Sequence, residues 1–174
     1  MEYTFTLRYR LAEIDGPVDS LLQVLAAAGC DDALVGIGLP GRIALEFVRE
    51  ASDAREAVLS AMRDVKSAVP GAVLIEAAPD LVGLSEVAEL AGVSRQNMRQ
   101  LMNRHASTFP APVHEGSTAV WHLADLLAWL QARGSYSLDP LLLELARTTL
   151  QVNLAIGTRR AEPDMTVALE AMIA

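Results

Sequence analysis

The stretch SEVAELAGVSRQNMRQLMNR, from Ser85 to Arg104, contains two short helical patterns joined by a glycine. Apolar residues recur at helical spacing in both halves: Val87, Leu90 and Ala91 in the first, and Met98, Leu101 and Met102 in the second. Gly92, between the halves, can adopt the left-handed backbone that a sharp turn requires. Ser94 is placed to cap the N-terminus of the second helix. The stretch therefore predicts a first helix that starts at Ser85, a tight turn and a second helix.

The face of the second helix opposite the methionines is polar and carries no carboxylate. On a helical wheel this face gathers Gln96, Arg99, Gln100 and Asn103, with Arg95 at its flank. Although the formal net charge of the chain is -8, no Asp or Glu lies between Glu89 and Glu115. Arginine can bind guanine or phosphate, and asparagine and glutamine can bind adenine, so the segment predicts a DNA-binding helix. The alternative, a merely solvated helix surface, would be usual for an isolated helix without the tandem around it.

The residues after the second helix predict a small hairpin and a third helix. Pro110 and Pro112 favour an extended entry, and VHEGSTAVW, residues 113 to 121, can form a hairpin around Glu115 and Gly116. LADLLAWLQARG, residues 123 to 134, is amphipathic and ends at a glycine. Five apolar residues of this region are expected in a core rather than on a stacking surface: Trp121, Leu126, Leu127, Trp129 and Leu130.

LVGLSEVAELAGVSRQNMRQLMNR and FPAPVHEGSTAVWHLADLLAWLQARG, about residues 81 to 134, together resemble the winged helix-turn-helix of the MerR superfamily in its AlpA-type or excisionase-like form. The resemblance implies a recognition helix that carries Ser94, Arg95, Gln96, Asn97 and Arg99, and a wing at residues 114 to 118. The family's wing is usually basic and an arginine lies near the start of the next helix, whereas this chain has His114, Glu115 and His122 there. The predicted DNA-contacting residues are Ser94, Arg95, Gln96, Asn97, Arg99, Gln100, Asn103, Arg104, His114, Ser117 and His122.

Residues 1 to 79 show strand and helix patterns in the order β-α-β-β-α-β. Thr4 to Leu11 alternates strictly between polar and apolar residues, as a half-buried strand does. A helix with Pro17 in its first turn ends near Gly29, and the strands ALVGIG and RIALEFV follow. A helix capped by Ser52 and the strand AVLIEA complete the unit. This order predicts a ferredoxin-like sandwich with both helices on one face of the sheet.

One motif in this unit matches a nucleotide-binding template. GIGLPG, with Gly36, Gly38 and Gly41, satisfies G-x-G-x-x-G, which in dinucleotide-binding proteins is followed at once by a helix whose N-terminus binds pyrophosphate. Here the β-branched and alternating RIALEFV follows instead. The glycines are therefore expected to form a strand end and a hairpin turn.

The last third of the chain predicts a long helix and a short one. Asp139 and Pro140 begin the long helix, which reaches about Ile156 and is closed by Gly157. Its apolar residues form two faces: Leu138, Leu142, Leu145, Val152 and Ile156, interrupted by Thr149, and Leu143, Ala146, Leu150 and Leu154. Packing of one face on the chain itself and of the other on a second subunit is predicted over Leu138 to Ile156, with burial wholly within one chain as the alternative. MTVALEAMIA predicts a terminal helix that docks through Met165, Leu169 and Met172.

No catalytic, cofactor or metal site is expected from the sequence. His105, His114 and His122 lack a second ligand at metal spacing, and Cys30 lies in another unit. Four carboxylates sit at helix ends, where capping and loop solvation explain them: Glu13, Asp15, Asp31 and Asp32. The sequence predicts a cytoplasmic protein without a membrane span. The reasons are the single cysteine, the charged N-terminal MEYTFTLRYR and the lack of a run of about 20 apolar residues.

These patterns predict an α+β protein with three parts: a ferredoxin-like domain (1–79), a winged helix-turn-helix domain (80–135) and a C-terminal helical dimerisation segment (136–174). The predicted function is sequence-specific binding of double-stranded DNA by a homodimeric transcriptional regulator that is not an enzyme. Its first domain is expected to bind a ligand or a protein. Two alternatives stay open, an architectural factor that bends DNA as excisionases do, and an antitoxin-like interaction adaptor.

Overall fold

A computed structural model describes residues 1–11, 18–134 and 136–173, and it is a mixed α+β structure as the sequence predicts. The first unit comprises β1 (Glu2–Arg10), α1 (Val18–Ala27), β2 (Ala33–Ile37), β3 (Arg42–Glu50), α2 (Ala54–Ala68) and β4 (Val73–Ala78). The second comprises β5 (Leu81–Val82), α3 (Leu84–Leu90), α4 (Arg95–Arg104), β6 (Trp121–His122) and α5 (Leu123–Ala132). α6 (Pro140–Thr158) and α7 (Pro163–Ile173) follow. The predicted places of Pro17, Glu13 and Asp15 lie outside the described residues.

The first four strands form one antiparallel sheet in the order β2-β3-β1-β4. Alternate residues of β1 are buried, as the sequence pattern predicts: Tyr3, Phe5, Leu7 and Tyr9. α1 and α2 contribute buried residues to the same core: Leu21, Leu25, Ala57, Val58 and Ala61. β2 and β3 form a hairpin in which Gly41 has a φ of 73°, so the glycine-rich motif serves a turn and not a nucleotide-binding helix.

The N-cap of α2 is Asp53 and not the predicted Ser52. The Asp53 carboxylate accepts a hydrogen bond from the Glu56 backbone N–H at 2.8 Å. Ser52 instead donates its hydroxyl proton to the same carboxylate, at 3.2 Å. Both residue types favour N-caps, and the two stand side by side in the sequence, so composition alone could not choose between them.

α3 begins at Leu84, one residue before the predicted start at Ser85, and its N-cap is Gly83. Glu86 Oε2 accepts the Gly83 backbone N–H at 2.7 Å, which closes the first turn from the helix side. Val87 and Ala88 are buried, whereas Leu90, predicted to face inward, is 41% exposed. Successive residues of an α-helix are about 100° apart around its axis. Leu90 therefore lies about 100° from the centre of the face that Val87 and Ala88 form.

The turn and the second helix follow the sequence prediction closely. Gly92 has a φ of 66°, the left-handed conformation expected of it. Ser94 caps α4, because its hydroxyl oxygen accepts the Asn97 backbone N–H at 3.1 Å. β5 and β6 then pair antiparallel, with Val82 opposite Trp121, and bring α5 beside the two helices. The buried residues of this second core include Val87, Met98, Phe109, Trp121, Leu126, Leu127 and Leu130.

α6 lies between the two cores and packs on both. It begins at Asp139 and Pro140 as predicted, and the Asp139 side chain caps it by accepting the Leu141 backbone N–H at 2.9 Å. Leu145 belongs to the core of the first unit, whereas Leu143 and Ala146 belong to the core of the second. The inference that one of the two apolar faces meets a second subunit is therefore wrong for the N-terminal half of α6, because the chain itself covers both faces there.

A polar cluster fixes α6 to the junction between β4 and β5. The Asn153 amide forms two hydrogen bonds with the backbone of Ala77, each of 2.8 Å, and donates a third to Asp80 Oδ2 at 2.7 Å. Thr149, which interrupts one apolar face in the sequence, is fully buried and donates to the Pro79 carbonyl. These bonds hold the first unit, the second unit and α6 together.

α7 is exposed along its whole described length. The predicted docking of Met165, Leu169 and Met172 on the chain is wrong, since their exposed fractions are 55%, 41% and 75%. The sequence shows that a helix has an apolar side, but it does not show what covers that side. Within the described residues, α6 and the other helices are too short or too polar to span a bilayer.

Candidate nucleic-acid interface

The predicted recognition helix, α4, presents its polar face to solvent. Met98 is fully buried, and Leu101 and Met102 are half-buried against the second core. Every predicted DNA-contacting residue of the segment is exposed: Ser94, Arg95, Gln96, Asn97, Arg99, Gln100, Asn103 and Arg104. The helix therefore has one anchored side and one continuous polar side about 15 Å long, since a residue adds about 1.5 Å of helix.

The arginines of α4 keep their charge available for a partner. Of the carboxylates that the structure describes, none lies within ion-pair distance of Arg95, Arg99 or Arg104. The guanidinium group is planar and permanently charged, and it can bind a phosphate or a guanine edge through two parallel hydrogen bonds. An anionic ligand approaching α4 would therefore meet cations without a competing internal acid.

A basic and aromatic cluster, comprising His105, Trp129 and Arg133, lies at the C-terminal end of α4. An Arg133 guanidinium nitrogen is 2.8 Å from His105 Nε2, and the group stacks 4.7 Å from the centre of the Trp129 ring. Desolvation, followed by the charges of Arg133 and Arg104, lowers the pKa of His105 below its usual value. His105 is therefore neutral near pH 7. Sequence reasoning did not select Arg133, although an arginine at the end of the predicted amphipathic helix, where it forms the C-cap of α5, was the available signal.

The predicted wing is a short hairpin loop whose base is hydrogen-bonded. The Val120 carbonyl accepts the Val113 backbone N–H at 2.8 Å, and the His114 carbonyl accepts the Val120 N–H at 3.1 Å. His114 and Ser117 are both exposed. The His114 ring lies over Gly116 so closely that a Cβ there would be 2.6 Å from Nε2. A side chain at residue 116 would displace the exposed His114 ring, so the glycine allows this position of the ring.

His122, the last of the predicted DNA-contacting residues, is tied to the interior. Its Nδ1 is 2.7 Å from Asp80 Oδ1, and the Asp80 side chain is 1% exposed. Asp80 also accepts the Asn153 amide, so His122 belongs to the junction between the two units as well as to the start of α5. Sequence reasoning missed Asp80 and Asn153, whose partners lie 42 and 73 residues away in the chain.

The acidic first unit uses its buried arginine internally. Arg49 forms ion pairs of 2.7 Å with both Asp32 and Asp64, and it also donates to the Gly29 carbonyl at 2.7 Å. The hydrogen bond to Asp32 is the largest cause that raises the pKa of Arg49 above its already high usual range. Asp32 was expected to be explained by capping or solvation, and this expectation is wrong, because the carboxylate holds Arg49.

Two further observations concern metal binding and the single cysteine among the described residues. Across 1–11, 18–134 and 136–173, no three histidine, cysteine, aspartate or glutamate side chains are grouped as a metal site would require. Burial, followed by the nearby Asp64 charge, raises the pKa of the Cys30 thiol to about 11. A thiol with that pKa is protonated at neutral pH and is a poor nucleophile.

Comparison with known proteins finds no matching family model, no similar curated protein and no similar solved structure. The chemistry of the α4 surface therefore rests on the residues themselves.

Proposed function

We propose that residues 80–135 form a winged helix-turn-helix that binds double-stranded DNA in a sequence-specific manner, and that the protein is a transcriptional regulator. The observation that carries this proposal is the exposed polar face of α4, whose three arginines have no carboxylate partner among the described residues. A capped helix with one buried side and one polar side has the dimensions to enter a major groove, which is about 12 Å wide.

The positions of the side chains along α4 support a division between base and phosphate contacts. Arg99 and Gln100 lie midway along α4, and Gln96 lies on the same exposed face one turn nearer the N-terminus, so base edges would be within their reach. Arg95 and Arg104 lie at the two ends, where the phosphate backbones flank the groove. The cluster of His105 and Arg133 beside Arg104 extends the basic end of the surface.

The proposal gives the first unit a ferredoxin-like arrangement and a binding role of its own. Its support is the strand order β2-β3-β1-β4 with α1 and α2 on one core, which leaves the outer face of the sheet open. The unit contains 12 acidic and 7 basic residues, a net charge of -5. Such a charge disfavours contact with DNA and suits a protein or ligand instead.

Titration of the full chain against DNA tests this function. A site is first selected from random duplexes, and binding is then measured by fluorescence anisotropy for Arg99→Ala and Arg104→Ala at several salt concentrations. Arg99→Ala should lose about 1 to 3 kcal/mol on the selected site and little on a scrambled duplex, because a base contact is removed. Arg104→Ala should weaken both duplexes and lower the salt slope by about one.

Arg63→Ala is the matched control for both variants. Arg63 is an exposed helical arginine of the first unit, paired with Glu56 at 3.2 Å, and its removal should leave DNA binding unchanged. Equal losses for the two α4 variants on both duplexes would refute the division of contacts. Unchanged binding by both variants would refute α4 as the DNA-binding helix.

A further inference from the structure

An open groove runs along α6 on the side that faces α2 and β4, and we call it the α2/α6 groove. It encloses about 1020 Å³. Its apolar floor consists of Leu59, Met62, Leu74, Val152 and Ile156. Three arginines line it as well: Arg55, Arg147 and Arg159. The groove therefore combines an apolar floor with a basic rim, which suits an amphipathic and acidic occupant.

The rim has a net positive charge, because three arginines and one carboxylate, Glu144, stand among its described lining residues. Glu144 accepts the Tyr3 hydroxyl proton and the Ala54 backbone N–H, each at 3.0 Å. Among the described residues, Arg55, Arg147 and Arg159 form no ion pair. A carboxylate brought to this rim would meet uncompensated guanidinium groups.

α7 has the complementary chemistry. Its large apolar side chains are 41% to 77% exposed: Met165, Val167, Leu169, Met172 and Ile173. An exposed helix with this much apolar surface indicates a contact with another surface. The segment from Glu162 to Ile173 also carries Asp164 and Glu170 and no basic residue. Its 11 helical residues span about 16 Å, whereas α6 lines the groove over Pro140 to Arg159, about 28 Å.

We propose that α7 of one copy of this chain docks in the α2/α6 groove of a second copy, and that the exchange is reciprocal. Each copy then gives one helix and receives one, so the contact closes as a twofold dimer in which each α7 lies in a groove longer than itself. The inference does not depend on DNA binding. It assigns dimerisation to α7 and the groove, since the N-terminal half of α6 is covered by its own chain.

The connection between α6 and α7 favours a second copy over the chain's own groove. Backbone hydrogen bonds from Arg160 to Gly157 at 3.0 Å and from Ala161 to Thr158 at 3.1 Å continue the helical turns beyond α6. The Glu162 carbonyl already accepts the Thr166 N–H at 2.9 Å, as the first bond of α7. Folding α7 back against α6 would require these turns to unwind, whereas exchange with a second copy keeps them.

Light scattering on complementary variants tests the exchange. The helix variant ends at Ala161 and lacks α7, and the groove variant carries Arg147→Glu with Arg159→Glu. Neither change touches a residue of either core, so both proteins should keep the circular dichroism spectrum of the folded units. The intact chain should scatter at twice its mass of 18.6 kDa at micromolar concentration, and each variant alone should scatter at the mass of its own monomer.

The mixture of the two variants gives the decisive result. The helix variant has an intact groove and the groove variant has an intact α7, so an equimolar mixture should form a heterodimer through one exchanged helix. Arg63→Glu, on the same α2 helix but outside the groove, should leave the dimer intact. Adding Asp164→Arg and Glu170→Arg to the groove variant should restore its dimer. A monomeric intact chain, a dimeric helix variant, or a mixture without heterodimer would each overturn the proposal.

Discussion

The first and second units place their arginines in opposite environments. In the first, Arg49 is 8% exposed and is held by two carboxylates and a carbonyl. In the second, Arg95, Arg99 and Arg104 stand exposed on α4 without a carboxylate partner among the described residues. A charge whose partners are internal stabilises one arrangement of the chain, whereas a charge without them is available to bind a polyanion. Net charge alone would hide this difference.

Both units take buried side chains from α6, with Leu145 in the first core, and they differ in how much of the core α6 supplies. The first core is made largely by the sheet and two helices, with Phe5 and Phe47 stacked at 5.3 Å. The second core takes Leu143 and Ala146 from α6, which lies outside residues 80–135. The second unit therefore depends on a helix that also packs on the first unit, and measurements of the proposed DNA binding need the full chain.

Removing the Arg49 side chain should have the largest effect on stability. Arg49→Met leaves Asp32 and Asp64 facing each other without a cation, and loss of one member of a buried ion-pair group typically costs about 3 to 5 kcal/mol. The two carboxylates are 28% and 30% exposed, so we expect the lower end of this range. The free energy of unfolding, measured in urea, should fall by about 3 kcal/mol. Arg8→Met, at the exposed pair with Glu76, should cost below about 1 kcal/mol. Similar losses in both variants would show that burial does not separate the two pairs.

Breaking the amide cluster on α6 should have the next largest effect, and it should uncouple the two units. Asn153→Ala removes the hydrogen bonds to the Ala77 backbone and one hydrogen bond to Asp80. We expect the free energy of unfolding to fall by about 2 kcal/mol. Both tryptophans lie in the second unit, so fluorescence follows that unit while far-ultraviolet circular dichroism follows the whole chain. The two unfolding curves should separate in the variant. Gln151→Ala, exposed on the same helix, should leave them coincident, and coincident curves in Asn153→Ala would argue against the junction role.

Features with local causes could be predicted from the sequence, and features with distant partners could not. Gly92, Ser94 and Asp139 act within one helical turn of their own positions, and all three have the predicted roles. The polar face of α4 likewise follows from helical spacing. The pairing of Arg49 with Asp64 joins residues that no short motif connects.

The long helix α6 shows the same limit for apolar residues. Its periodicity established that two faces must be covered, but not that the chain's own two cores cover the N-terminal half. α7 shows the opposite case. Its apolar pattern predicted that it docks, but in the single chain its apolar side chains are exposed. Periodicity identifies which side chains need partners, and only the arrangement of the elements identifies the partners.

Removing the cap of α4 should have a smaller effect, confined to the second unit. Ser94→Ala deletes the acceptor of the Asn97 N–H, and such substitutions typically cost about 1 kcal/mol. Ser85→Ala is the matched control, since Gly83 and Glu86 close the N-terminus of α3 without it. The free energies of unfolding of the two variants, measured in urea by tryptophan fluorescence, should differ by about 1 kcal/mol. Equal stability would mean that Ser94 contributes no net capping energy.

The titration of His105 should give the smallest effect, and it tests the basic end of α4 directly. Desolvation, Arg133 and Arg104 lower the pKa of His105 in the folded protein below its unfolded value of about 6.5. Folding therefore favours the neutral ring, so the stability linked to His105 is fully present above pH 6.5 or so and declines as pH falls through the folded pKa. In a nuclear magnetic resonance titration, the His105 ring signals should change below the usual midpoint. Arg133→Met should move that midpoint upward only in part, because desolvation is the larger cause. An unchanged midpoint in that variant would mean that Arg133, at 2.8 Å from the ring nitrogen, adds no net positive potential at His105.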